Sequence, residues 1–221
     1  MSSAARRPRP GRPRHIPPVD SNLSPREQIL DVCARLFTQY GYAATSTRDI
    51  ADAVGIRQAS LYYHFAGKPG ILEELLARTV RPTIDLLDRI EAVADEYGAA
   101  SALYALVMVD TATLAKAPHN CGRLPSFPDV RSQEEWQPYK LIHRDLVIAY
   151  DRLGRQVAGK DVNGTWIENL VEIVVANRAE GLIVDEAERH IVATSVLRAC
   201  GATHEQITTA KAVAWAELLD E

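Results

Sequence analysis

The chain has 221 residues, 47% apolar and 24% charged, ordinary values for a folded globular protein that exclude collagen-like, disordered and small disulfide-scaffold classes. Its net charge of −4 hides an asymmetry: residues 1–68 hold ten Lys or Arg against five Asp or Glu, net +5, and the remainder fifteen against twenty-four, net −9. A basic head on an acidic body suggests a polyanion-binding module joined to a part that avoids polyanions.

No stretch approaches the ~20 continuous apolar residues of a membrane span. The basic start is followed by no apolar run of the secretory type, so a cytoplasmic protein without a membrane partner is expected. Cys33, Cys121 and Cys200 lie far apart with no CxxC or CxnH spacing, which argues against a zinc site or a disulfide framework. Neither a metal nor a cofactor is expected.

Residues 1–23 carry five prolines among five arginines and read as a mobile arm unable to bury apolar area. Within it, Pro10-Gly11-Arg12-Pro13-Arg14 resembles the AT-hook core with Pro10 in place of its first arginine. Arg12 and Arg14 are therefore candidates for a narrow minor groove; a solubilising tail without defined contacts is the alternative.

Ser24-Pro25-Arg26-Glu27 reads as a capping box with Pro at the first helical position. Ile29, Leu30, Cys33, Leu36, Phe37 and Tyr40 follow at helical spacing up to Gly41. A second box, Ser46-Thr47-Arg48-Asp49, opens a short helix ended by Gly55. A third helix spans Arg57 to Tyr63 after a connector of only Gly55 and Ile56, so the two short helices must meet steeply, as in a helix-turn-helix. Ala51 is small where they cross, and Ile56 and Leu61 are placed to fill the core beneath.

From Pro69 a long amphipathic helix is expected, kinked at Pro82. Further helices are expected near Ser101 to Lys116, Pro138 to Val157, Thr165 to Glu180, Asp185 to Ala199 and His204 to Leu219. Ala117 to Ser132, rich in proline, reads as the one long irregular loop. The expected fold class is all-α: an N-terminal three-helix domain over 24–70 and a C-terminal helical bundle over 71–221.

The run Tyr40-Gly41-Tyr42-Ala43-Ala44-Thr45-Ser46-Thr47-Arg48-Asp49-Ile50-Ala51-Asp52-Ala53-Val54-Gly55-Ile56-Arg57-Gln58-Ala59-Ser60-Leu61-Tyr62-Tyr63-His64-Phe65, with Lys68 three residues on, resembles the DNA-binding region of the TetR family of bacterial transcription regulators. The likeness covers roughly a quarter of the chain. It departs from the family pattern at Pro69, where an acidic residue is usual.

A short helix fits the ~12 Å major groove, and two of its first side chains suit base edges. Arg57 can take guanine O6 and N7, Gln58 can take adenine N6 and N7, and Ser60 is a weaker reader. The resemblance implies phosphate or sugar contacts from Thr47, Arg48, Tyr62, Tyr63, His64 and Lys68. For Tyr62 or Tyr63 the alternative duty is packing on the next helix, for His64 a cap or core position, and for Arg48 an ordinary solvated charge.

The resemblance further implies a helical second domain that dimerises and holds a small-molecule effector, the homodimer reading a palindromic double-stranded operator. Ile167, Leu170, Val171, Val174, Val175, Ile191, Val192, Val196 and Leu197 form broad apolar faces suited to a four-helix interface, or to the subunit's own core. Pocket candidates are Tyr104, Met108, Thr111, Trp136, Tyr139, His143, Tyr150, Asn169 and Glu172. Effector binding would favour a dimer whose recognition helices are wrongly spaced, with the helix from Pro69 as the lever.

An enzyme is not expected: no GxSxG, HExxH or GxxxxGK[ST] occurs, and Glu186 and His190 stand four apart without further ligands. The alternatives keep the DNA-binding head but switch it through the Cys121 thiol, which has His119 and Arg123 beside it in sequence, or through a protein partner, or use it for activation rather than repression.

Overall fold

The structure is a computed structural model that describes residues 23–219; Arg12 and Arg14 of the N-terminal arm lie outside the described residues. Three helices form the head: α1 (Pro25–Tyr40), α2 (Thr47–Val54) and α3 (Gln58–His64). Helix α4 (Lys68–Arg78) leads into the body, followed by α5 (Arg81–Ile84), α6 (Leu87–Tyr97) and α7 (Ala99–Lys116). Turns of 3₁₀ helix (Pro118–Ser126), α8 (Pro128–Arg131), α9 (Trp136–Ala158), α10 (Gly164–Val171), α11 (Ile173–Ala179), α12 (Glu186–Ala199) and α13 (His204–Ala214) complete the bundle. The chain widens to a π turn over Trp215–Leu219. No strand occurs among the described residues.

The caps follow the sequence with two exceptions, one of them Gly41, expected as a left-handed stop but ending α1 at φ 88°, ψ 155°. The Ser46–Asp49 box closes reciprocally, Asp49 N–H donating to Ser46 Oγ at 3.1 Å and Ser46 N–H to Asp49 Oδ2 at 2.9 Å. At α1, Ser24 Oγ accepts from Glu27 N–H at 3.3 Å, but the Glu27 carboxylate does not reach back. It is bound by Arg78 of α4 at 2.6 and 2.7 Å, a charge-assisted pair that outweighs a neutral amide donor. Gly55 adopts φ 85°, ψ 25°, the left-handed stop that lets α3 leave α2 at once.

The long helix from Pro69 is interrupted twice rather than kinked once. Pro82 has no N–H and its ring would meet the carbonyl of residue 78, so α4 ends at Arg78 and Pro82 falls in the first turn of α5. A second break at Asp85 and Leu86 precedes α6. The segment 165–180 also divides, at Glu172, into α10 and α11.

The expected loop at 117–132 is instead short helix docked on the head. Pro118 and Pro128 each occupy a first helical turn, Cys121, Leu124 and Val130 are buried, and the direction changes at His119 and Asn120, both at positive φ. This segment packs along α1. Its prolines mark helix starts as readily as loops.

Helix α7 runs through the middle and packs on α6, α9, α12 and α13. It is long and apolar enough by composition to cross a membrane, yet every side chain from Ser101 to Thr111 is buried against neighbouring helices. Ile167, Val171, Val174, Val196 and Leu197 also turn into their own subunit's core. Outward apolar residues of the body include Leu141 and Ile148 on α9 and, near α10 to α12, Trp166, Ile173, Leu182, Ile183 and Ile191.

Helix α10 begins directly on the backbone of α9. A Cβ on Gly164 would stand 2.3 Å from the Val147 carbonyl oxygen and 2.7 Å from the Asp151 nitrogen. Backbone cannot yield as a side chain can, so Gly164→Ala is expected to cost about 3 kcal/mol and to lower Tm by roughly 5–10 °C. Thermal unfolding followed by circular dichroism checks this; an unchanged Tm would mean that the two helices do not approach so closely.

Candidate nucleic-acid interface and its links to the body

Helix α3 has seven residues, of which Leu61 alone is fully buried. Leu61 enters the core shared with Phe37, Tyr42 and Ile50, where the Phe37 and Tyr42 rings meet edge-on at 5.2 Å. The outer side of α3 presents Gln58, Ser60, Tyr62 and Tyr63 to solvent. Tyr63 is 87% exposed and Tyr62 54%; the Tyr62 ring edge lies beside Gly67 at the start of α4, 3.7 Å from where a Cβ on that glycine would stand. His64 is half-buried, its ring 5.2 Å from that of Tyr63 in an edge contact.

Arg57 is the N-cap of α3 rather than its first residue and is exposed, as is Arg48 on α2. Gln58 donates from Nε2 to Thr47 Oγ1 at 2.8 Å, joining the starts of α2 and α3. Seven candidates, Thr47, Arg48, Arg57, Gln58, Ser60, Tyr62 and Tyr63, therefore belong to the two short helices and their junction.

Lys68 behaves differently from the surface contact expected of it. Its ammonium donates to the carbonyls of Tyr42 at 2.8 Å and Thr45 at 2.9 Å and lies 4.1 Å from the Tyr42 ring centroid. Burial holds its pKa below the ordinary lysine value, against the pull of Asp129. Two of its three N–H groups thus fasten the corner between α1 and α2.

The body grips the head at two places. Arg78 binds Glu27 of α1 through both terminal nitrogens and Glu74 at 2.7 Å, while Arg26 of α1 also pairs with Glu74. The Arg78 hydrogen bonds hold the Glu27 carboxyl below the usual carboxylate range. On the other side, Asp129 Oδ2 of α8 accepts from Ala43 N–H at 2.8 Å, and His119 Nε2 lies 2.9 Å from Asp31 Oδ1. The helix from Pro69 is therefore not the sole mechanical link; the segment 118–131 is a second.

Inside the body, a polar cluster occupies the bundle centre. Asp110 accepts from Tyr150 Oη at 2.8 Å and Thr83 Oγ1 at 3.0 Å, and Thr83 Oγ1 also lies 3.0 Å from Thr113 Oγ1. Burial pushes the Asp110 carboxyl up to about 6 despite those donors. Alongside, His143 stacks on Tyr139 at 5.2 Å and pairs with Glu168. Burial pulls the His143 imidazole down, but the Glu168 hydrogen bond and charge carry it above its ordinary value.

Of the proposed pocket residues, the structure brings Trp136, Tyr139 and His143 into one aromatic stack, with Tyr150 in the adjoining polar cluster. Tyr104, Met108 and Thr111 are buried along α7, Thr111 back-bonded to the Val107 carbonyl and Tyr104 touching His190. Asn169 and Glu172 are exposed; Glu172 borders a cavity of about 260 Å³ beside Arg123 and Arg131. A larger cavity, about 460 Å³, lies between α4, α5, α7, α12 and the C-terminal turn, and only Met108 of the nine lines it. Asp110 was missed, although a lone carboxylate in the apolar run from Leu103 to Leu114 is itself the signal.

The thiol switch at Cys121 finds no support in this environment. The residue is fully buried and burial pushes its thiol up to about 11. The neighbours meant to activate it are turned elsewhere, His119 to Asp31 and Arg123 to the Phe127 ring. Among the described residues no group of three or more His, Cys, Asp or Glu is placed to hold a metal ion.

Comparison with known proteins agrees with this geometry. The sequence pattern of the bacterial regulatory proteins, tetR family, matches residues 29–75. The crystal structure of AmtR from Mycobacterium smegmatis is similar at a TM-score of 0.81 and 34% identity, over 91% of this chain and 98% of that one. The TetR family transcriptional regulator PfmR from Thermus thermophilus shares the fold at a TM-score of 0.59 and 20% identity, over 77% and 97%. The HTH-type transcriptional repressor KstR2 of Rhodococcus jostii is 44% identical over 63 residues, 27% of this chain and 31% of that relative's length.

The buried carboxylate gives a pH dependence of known sign. With a pKa raised from 3.8 to about 6, Asp110 is protonated in the fold where the unfolded chain has already lost the proton. Its contribution to stability therefore falls as pH rises from about 4 to about 6, by on the order of 3 kcal/mol. Asp110→Asn removes the charge and keeps an acceptor for one of the two hydroxyls, so it is expected to melt above the native chain at pH 7.5, with that advantage shrinking by about 2 kcal/mol at pH 4.5. An advantage that does not change with pH would assign the titration elsewhere.

Proposed function

The chain belongs to the TetR family of bacterial regulatory proteins, and on that premise we propose that it is a homodimeric, sequence-specific DNA-binding repressor, released from a palindromic operator by a small molecule bound in its body. It acts in the cytoplasm, with the division into DNA-binding head and effector-binding, dimerising body falling near Gly70.

The observation that carries this reading is the outer face of α3, a short helix with one anchoring residue and polar and aromatic side chains turned outward. Such a helix suits the major groove. Arg57 and Gln58 read bases, Gln58 by exchanging its Thr47 partner for an adenine, and Ser60 contributes less. Thr47, Arg48, Tyr62, Tyr63 and His64 hold phosphate and sugar, which positions without specifying. Lys68 acts on affinity mainly through the corner it fastens, with its third N–H left for a phosphate.

One seven-residue helix reads few base pairs, whereas a two-fold pair reads half-sites about 34–36 Å apart. The outward Trp166, Ile173, Leu182, Ile183 and Ile191 supply the apolar area for that pairing. The name of the KstR2 relative supports repression over activation.

Selection from a random duplex pool is expected to return a palindrome. On it, Arg57→Ala should flatten preference at one position of each half-site by about 1–3 kcal/mol, whereas Tyr63→Ala should weaken all sequences alike. Equal loss on every base for Arg57→Ala would remove it as a reader. Separately, Ile183→Glu with Ile191→Glu should convert the sedimenting species from dimer to monomer; an undisturbed dimer would move the interface elsewhere.

A further inference from the structure

The cavity of about 460 Å³ between α4, α5, α7, α12 and the C-terminal turn falls in the size range of small-molecule sites. Its walls are apolar at Met108, Val109 and Trp215, and its ionisable lining is Arg78, Lys116 and Arg189 against the single carboxylate of Glu186. Two of those cations are under-used. Lys116 makes no ion pair or hydrogen bond among the described residues, and Arg189, with five N–H donors, gives one to the Met108 carbonyl at 3.4 Å.

Arg78 has a double position: it lines this cavity and it is the centre of the Glu27–Arg78–Glu74 knot that ties α4 to the first helix of the head. Anything bound against it bears directly on how the head is held.

We infer that this cavity is the effector site of the regulator and that it takes an organic carboxylate with an apolar body. Lys116 and Arg189 hold the carboxylate, while Met108, Val109 and Trp215 bury the rest. The negative charge beside Arg78 competes with Glu27 for the guanidinium and loosens the tie between α1 and α4. The inference rests on the reading of the chain as an effector-released repressor, and it places the effector away from the Tyr139, His143 and Tyr150 cluster.

Trp215 in the wall supplies a direct reporter. Full-length protein is titrated with decanoate and, as the uncharged control, with decan-1-ol, following tryptophan emission; Trp215→Phe identifies the signal from this site. Decanoate should give a saturable change roughly tenfold tighter than decanol. Lys116→Gln and Arg189→Gln should each weaken decanoate several-fold and leave decanol unchanged. At saturation, decanoate should lower affinity for the selected palindrome.

Equal binding of acid and alcohol, no saturable change with decanoate, hexanoate or 4-phenylbutyrate, or binding without loss of operator affinity would each overturn the assignment. Operator selection is run first without additive. A chain that selects no palindrome yet binds decanoate through Lys116 and Arg189 refutes the repressor reading and leaves the anion site standing. A chain that selects a palindrome but ignores the acid refutes the site alone.

Discussion

A seven-residue helix cannot hold itself together in water, because too few hydrogen bonds are formed for the dihedrals fixed. Helix α3 exists only because Leu61 is clamped in the core of the head and because its ends are fixed from outside. Gly55 sets its departure from α2, Gln58 ties its start to Thr47, and Lys68 fastens the carbonyls of the corner on which α2 rests. The same economy leaves its other side chains free for solvent or for a duplex. A recognition surface and a weak helix are here one feature.

What orients that surface is therefore the frame around it, and the frame belongs partly to the body. The Arg78 knot meets α1 from one side, and Asp129 meets the Ala43 amide from another. Exposed ion pairs contribute little in isolation. The knot differs in that one guanidinium serves two carboxylates, Glu27 bidentately and Glu74 through one nitrogen, so its direction is defined as well as its charge. Two attachments on separate elements tie the orientation of the head to both α4 and α8.

The head was legible in the sequence almost residue by residue, because its signals are local: a cap, a positive-φ glycine, an apolar residue every third or fourth place. Its inaccuracies have local causes too. Glu27 left its expected capping bond for an arginine fifty-one residues away, and Lys68 turned inward to carbonyls that only the folded corner brings together. The body was legible as helices but not as a site. Proline marks both loops and first helical turns, so 117–132 read as a loop. An apolar helix face reads the same whether it meets its own core or a second subunit, so Ile167 and Val196 could not be told from Ile183 and Ile191. Chemistry without position singles out nine pocket candidates, of which Met108 lines the cavity that also holds Arg78, Lys116 and Arg189, cations that in sequence look like ordinary surface charge.

Charge then connects the two halves of the molecule. The segment from residue 69 onward carries a net −9 and the segment before it +5, of which +4 falls on residues 1–23 and only +1 on the three-helix head, so a duplex is turned from the body and drawn to the N-terminal end of the chain. The same acidic field disfavours anions over most of the body's surface. A site for an anion there must carry its own local cations, close enough to dominate within a screening length of about 8–10 Å. Arg78, Lys116 and Arg189 converge on one cavity of an otherwise acidic bundle. Arg78, alone of the three, also reaches the head through Glu27. A cavity of the body that gathers positive charge thus also borders the contact through which the body holds the first helix of the head.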